Sequence, residues 1–190
     1  MFDPRADLFF EDPRNNRHPP GDYGVLYLLR RDILLCLGQD PSSGGRTSHQ
    51  VLWPGAMATL AGIDLVAKFY KGDDGQGQSG ARFKDFVDNY FQPISAGDEE
   101  TLYQLRNALL HSFGLYSKKG TQVYRFLLTA AGGVPFVQMP SPGNYQIDLI
   151  ELYKRFEQAL AKYAKDLNGQ RPLQDNFLKM FSNYGAVHIG

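Results

Sequence analysis

Apolar residues recur along most of this chain at the three-and-four spacing that puts side chains on one face of a helix. Val25, Leu28, Leu29, Ile33 and Leu37 predict a first helix over about Asp22 to Leu37, with Gly38 as its stop. Gln39 to Arg46 reads as a loop. A second helix runs from about Ser48 to Tyr70, with Pro54 in its first turn or kinking it. Leu60, Ile63, Leu65, Val66, Phe69 and Tyr70 cover much of its circumference, the signature of a central, buried helix. After the glycine-rich connector Lys71 to Gly80, a third helix spans about Ala81 to Phe91, and Pro93 ends it. A fourth starts near Asp98, where three consecutive acids favour a helix N-terminus, and carries Leu102, Leu105, Leu109 and Phe113 toward Gly114.

The spacing then changes. Gln122 to Thr129 and Val134 to Met139 are β-branched or aromatic, and Ala131-Gly132-Gly133 lies between them, which predicts a β-hairpin. Asn144 to Asp148 suggests a short third strand. A fifth helix, about Leu149 to Leu167, is amphipathic, and a last one covers about Pro172 to Tyr184. Residues 1–20, rich in Pro, Arg, Asp and Asn, read as an irregular arm with Leu8, Phe9 and Phe10 docking on the body. The expected fold class is therefore mainly α: an up-and-down helical bundle over 21–190, with an inserted β-hairpin at about 122–139.

Composition narrows the functions open to such a domain. The chain has 190 residues, 43% of them hydrophobic, enough for one buried core. Lys+Arg and Asp+Glu are equal at 20 each, so no global field draws in a polyanion, and any nucleic-acid contact must come from a local patch. The single cysteine, Cys36, sits in an apolar stretch and reads as a small buried hydrophobe. The four histidines, His18, His49, His111 and His188, have no metal-ligand spacing, so neither a metal nor another cofactor is expected. Asp73-Asp74 in the glycine-rich connector is weak as a cation site, and that connector lacks the phosphate-loop pattern. Val51 to Phe69 contains Pro54, Asp64 and Lys68 and is too polar to span a membrane; with no export signal visible, the cytoplasm is the expected compartment.

The candidate chemistry lies in Arg106-Asn107-Ala108-Leu109-Leu110-His111. Asn107 and His111 share a helix face, whereas Arg106 and His111 are about 140° apart around the axis. Either the long arginine swings across or a second copy of the helix supplies the partner residue. No Asp or Glu occurs between Glu100 and Asp148, while Arg106, Lys118, Lys119 and Arg125 all do, so positive charge gathers near His111. That favours an anion such as a phosphodiester. Tyr116 and Tyr124 flank the basic turn and could stack on a base. The plain alternatives are that Arg106 and His111 tie helices together, and that Lys118-Lys119-Gly120 is a solvated turn.

The Arg-polar-three residues-His pattern, late in a core helix, resembles the signature of the HEPN superfamily, helical domains of toxin–antitoxin, abortive-infection, CRISPR and RNA-processing systems. The resemblance covers about residues 22–167. It implies a metal-independent endoribonuclease of toxin or defence type acting as a homodimer. His111 would be the general acid/base, Arg106 the phosphate clamp and Asn107 an orienting group, with an antitoxin-type protein as a further partner; the basic turn itself, rather than the resemblance, adds Lys118, Lys119 and Tyr116 as expected substrate contacts. The alternative is a non-catalytic module that binds a nucleotide, an RNA or a protein.

Overall fold

The computed structural model describes residues 2–15, 17 and 20–190. His18 and the remainder of the predicted arm at Met1, Asn16 and Pro19 lie outside these. In chain order the elements are α1 (Pro4–Phe10), β1 (Gly21–Gly24), α2 (Val25–Cys36), α3 (Leu52–Lys71), α4 (Ser79–Tyr90), α5 (Asp98–Ser112), β2 (Tyr116–Lys119), β3 (Gln122–Thr129), β4 (Val137–Ser141), β5 (Asn144–Asp148), α6 (Leu149–Gly169), α7 (Arg171–Tyr184) and β6 (Ala186–Ile189).

The helices form where the apolar spacing predicts them. α3 is central and packs against α2, α4, α5, α6 and α7, with Leu60, Ile63, Val66, Ala67 and Phe69 fully buried. The first residues are not irregular throughout. Asp3 accepts the Arg5 backbone N–H at 2.8 Å and Pro4 opens α1, so an N-cap and a pre-set φ start the helix. Seven residues cannot hold a helix alone in water. Burial of Ala6 and of Phe9, whose ring lies 4.4 Å from Phe69 and 5.5 Å from Phe177, supplies the rest.

The mainly α bundle with one hairpin is corrected: the described residues form seven α-helices and two sheets, an α/β mixture. The two runs predicted to form a hairpin are not neighbours. The larger sheet has the order β2-β3-β5-β4, with β5 parallel to β3 and antiparallel to β4. Two real hairpins flank that parallel pair. Lys119 pairs with Gln122 around Gly120-Thr121, with Gly120 at φ 60°; a positive φ at the first turn residue matches strand twist and suits glycine. Ser141 pairs with Asn144 around Pro142-Gly143, with Gly143 at φ 74°, as a type II turn requires.

The predicted third strand lies between the other two because its side chains suit a central position: Tyr145 and Ile147 face the core, and Asp148 is fully buried. The Asp148 carboxylate accepts from the Ala131 N–H at 2.7 Å, the Thr129 hydroxyl at 3.1 Å and the Glu151 N–H at 3.1 Å, which locks the crossover loop to the start of α6. The second sheet joins the chain ends. β1 pairs antiparallel with β6, and His188 Nδ1 lies 3.0 Å from Asp22 Oδ1, so the predicted first helix begins three residues late. No helix among the described residues is long and apolar enough to cross a membrane.

Candidate functional site

α5 begins after Gly97 with Asp98, Glu99 and Glu100 in its first turn, an arrangement favoured by the helix dipole, and carries His111 in its last. Its buried face, Leu102, Leu105, Ala108 and Leu109, fixes its rotation against the core. That rotation leaves the Arg106 side chain largely buried, Asn107 half-buried and His111 exposed.

The structure brings the three predicted residues together. Arg106 swings across the helix: its Nη1 lies 2.5 Å from His111 Nε2 and 3.2 Å from Asn107 Oδ1. A guanidinium only donates, so in this contact Nε2 is the acceptor. One chain therefore assembles the pair without a second copy.

A fourth member, Asp64 of α3, was not foreseen as part of the site. Its Oδ2 accepts from Arg106 Nη2 at 2.8 Å, and the two side chains are 14% and 11% exposed. The second bond of a side-on fork is not made; Asp64 Oδ1 and Arg106 Nε are both buried without a partner among the described residues. Asp64 is the one charged residue between Leu52 and Ala67. An acid isolated in an apolar helix is the sequence signal that marks it, because a buried carboxylate demands a partner.

The predicted substrate-binding residues divide. Along β2, Ser117 and Lys119 face α5: the Ser117 hydroxyl donates to Gln104 Oε1 at 2.5 Å, and Lys119 Nζ reaches Glu100 at 2.8 Å. Lys119 is thus neutralised. Tyr116 and Lys118 alternate to the opposite, exposed face of the sheet. Tyr124 is 1% exposed and stacks on Tyr145 at 5.4 Å, so it is core and no base platform. Glu100 also receives Lys84 at 2.9 Å and Gln104 at 2.7 Å. Burial alone would raise its carboxyl, but these three donors and the lysine charge outweigh burial and hold it at about 2.

The other candidates have structural duties. Asp73 accepts the Gly75 N–H at 2.9 Å and Asp74 the Tyr184 hydroxyl at 2.6 Å. Burial, reinforced by the charge of Asp32, pushes the Cys36 thiol up, away from thiolate chemistry. Among the described residues no group of three or more His, Cys, Asp or Glu side chains is arranged to hold a metal ion. A cleft of about 450 Å³ lies elsewhere, against α6, lined in part by Phe136, Lys154 and Arg155; these cations bond to Glu151 and to the Gln92 carbonyl.

No family model matches the chain, and neither a curated protein nor a solved structure is significantly similar to it.

Proposed function

We propose that this chain cleaves RNA by internal transesterification, as the HEPN-like pattern of residues 106–111 suggests. The observation that carries the reading is the direct contact between a solvent-exposed imidazole and a guanidinium anchored on a buried carboxylate, His111–Arg106–Asp64. In the free protein Arg106 caps the basic nitrogen of His111. A phosphodiester oxygen, being anionic, is the stronger acceptor for the same Nη1. Its arrival draws the guanidinium off and leaves Nε2 free to take the proton of a ribose 2′-hydroxyl. The O2′–P bond then forms, the P–O5′ bond breaks, and O5′ leaves with a proton from an acid. Arg106 stabilises the extra negative charge on phosphorus. The products are a 2′,3′-cyclic phosphate and a 5′-hydroxyl, and DNA, lacking the nucleophile, is not cut. One imidazole supplies one proton transfer at a time, so a homodimer with two His111 side chains at one phosphate would supply the acid as well as the base.

The test is incubation of labelled RNA and DNA of one sequence with the purified protein in EDTA. RNA alone is expected to be cut, with cyclic phosphate ends. The His111→Ala variant is expected to be slower by about 10²-fold or more while melting like the wild type. An inert wild-type protein, or equal cutting by the variant, removes the proposal. A second reading has an observation of its own. Arg106 and Asp64 are largely sheltered and join α5 to α3, as a purely structural tie would; a fall in stability in Arg106→Ala with no RNA turnover in the wild type selects it.

A further inference from the structure

α5 ends with an anomaly two residues past His111. Phe113 has φ 46° and ψ 43°, the left-handed region, and is the one non-glycine residue with positive φ among the described residues. Glycine takes that conformation at no steric cost, yet the glycine comes one position later, at Gly114. The phenylalanine gains no burial in return, since its side chain is the most open of the large hydrophobics among the described residues, 73% exposed. Neither backbone preference nor core packing accounts for an aromatic ring here, and strain of this kind concentrates at functional sites.

The strand that follows extends the pattern. Tyr116, 52% exposed, lies directly opposite Arg125, and Lys118 is the next residue of β2 on the same outward face, with Leu127 beyond Arg125 on β3. Chain length keeps the Cα of Phe113 within about 7 Å of that of His111 and about 11 Å of that of Tyr116. Charge separates this face from its surroundings. Arg106 and Lys119 are neutralised by Asp64 and Glu100, whereas Lys118 and Arg125 have no ion pair among the described residues. Two open aromatic rings and two uncompensated cations follow one another from the end of the helix that carries His111.

We infer that Phe113 and the outward face of β2 and β3 form a track for single-stranded RNA, with Phe113 and Tyr116 stacking on unpaired bases and Lys118 and Arg125 holding the adjoining phosphates. Stacking platforms combined with unpaired cations are what an unpaired strand requires, since every base has a π-face and every linkage a negative charge. Duplex RNA hides its base faces and does not suit the track. This deepens the ribonuclease reading and rests on it, because it names the form of RNA delivered to His111.

Binding is measured by fluorescence anisotropy with a labelled single-stranded RNA of twelve nucleotides and its duplex, in the His111→Ala background so that cutting cannot intervene. Phe113→Gly and Tyr116→Ala are each expected to weaken single-strand binding by about fivefold or more. Lys118→Ala and Arg125→Ala are expected to weaken it and to flatten its salt dependence by about 0.7 of a unit of slope each. Phe113→Gly is also expected to melt no lower than its parent, because glycine relieves the left-handed backbone. Unchanged affinity in these variants, a lower melting point of Phe113→Gly without loss of binding, or equal binding of duplex overturns the inference. RNA cutting by the wild type with no binding change in these variants overturns the track and leaves the nuclease standing. Face-dependent binding by a wild type that cuts nothing supports the track and overturns the nuclease.

Discussion

Arg106 serves three acceptors with two terminal nitrogens, and only one of them, Asp64, carries a charge. The carboxylate therefore decides where the guanidinium rests, and Asp64→Ala should cost about 3 kcal/mol by leaving a largely buried cation without its counter-ion. Asp64→Asn retains an acceptor and should cost about 1 kcal/mol, while slowing RNA cleavage about tenfold through a less firmly aimed arginine. Urea denaturation and single-turnover cleavage measure the two effects. A loss below about 0.5 kcal/mol in Asp64→Ala would show that the pair holds nothing. At this scale the sequence made much of the site legible. The placement of Arg106, Asn107 and His111 on one helix was readable; whether the arginine swings across or a second copy supplies the partner residue was not, because both satisfy the separation of about 140°. The run without acids from 101 to 147 was legible too, but its meaning was not, because charge balance is settled in space. Asp64 neutralises Arg106 from 42 positions away and Glu100 neutralises Lys119 from 19.

Elements were legible in proportion to how much of their stability is local. Helices α2 to α7 follow from amphipathic spacing, whereas β2 is four residues, Tyr-Ser-Lys-Lys, too polar to show a strand pattern. What holds β2 is the alternation that sends Ser117 to Gln104 and Lys119 to Glu100, both on α5. The same dependence on partners explains the misread hairpin: β3 and β4 each prefer β5, whose buried Asp148 and inward Ile147 fit a central strand. The Glu100 clamp gives this region a pH response whose sign follows from its lowered carboxyl. The native value is about 2 against 4.5 for an unperturbed glutamate, so the stabilisation is complete above about pH 4.5 and is lost as pH falls toward 2. Protection of the β2 amides relative to their intrinsic exchange rates is expected to fall across that window before the helices respond. In Glu100→Gln the same amides should exchange faster at pH 6 and lose most of the acid dependence. Protection of β2 that stays constant from pH 6 to pH 2 in the wild type would rule the clamp out.

Across the whole molecule the longest-range connections are the ones that sequence spacing cannot announce. β1 meets β6 at opposite ends of the chain, and Arg30 gathers three separate segments. Its side chain is 7% exposed; Nε and Nη2 form a two-pronged pair with Glu157 of α6 at 2.7 and 2.6 Å, and Nη1 donates to the carbonyls of Phe10 at 3.2 Å and Glu11 at 2.9 Å. This cation fastens the N-terminal helix, α2 and α6 into one unit. Desolvating a guanidinium is costly, so the pair specifies geometry more than it adds stability, and the two halves of that statement can be separated. Glu157→Ala should destabilise by about 3 kcal/mol, because the arginine stays buried with only carbonyl partners. Arg30→Met combined with Glu157→Leu should recover most of that loss, since apolar side chains of similar volume need no counter-charge. If the double variant is no more stable than Glu157→Ala, the ion pair itself, and not the penalty of breaking it, stabilises the fold. Among the described residues none bonds to both this network and the Asp64–Arg106–His111 network, so Glu157→Ala and Asp64→Ala should add to within about 0.5 kcal/mol in chemical denaturation. A larger coupling would mean that the two networks communicate through α3, which packs against both α5 and α6, and that the candidate active site senses how the N-terminal helix is docked.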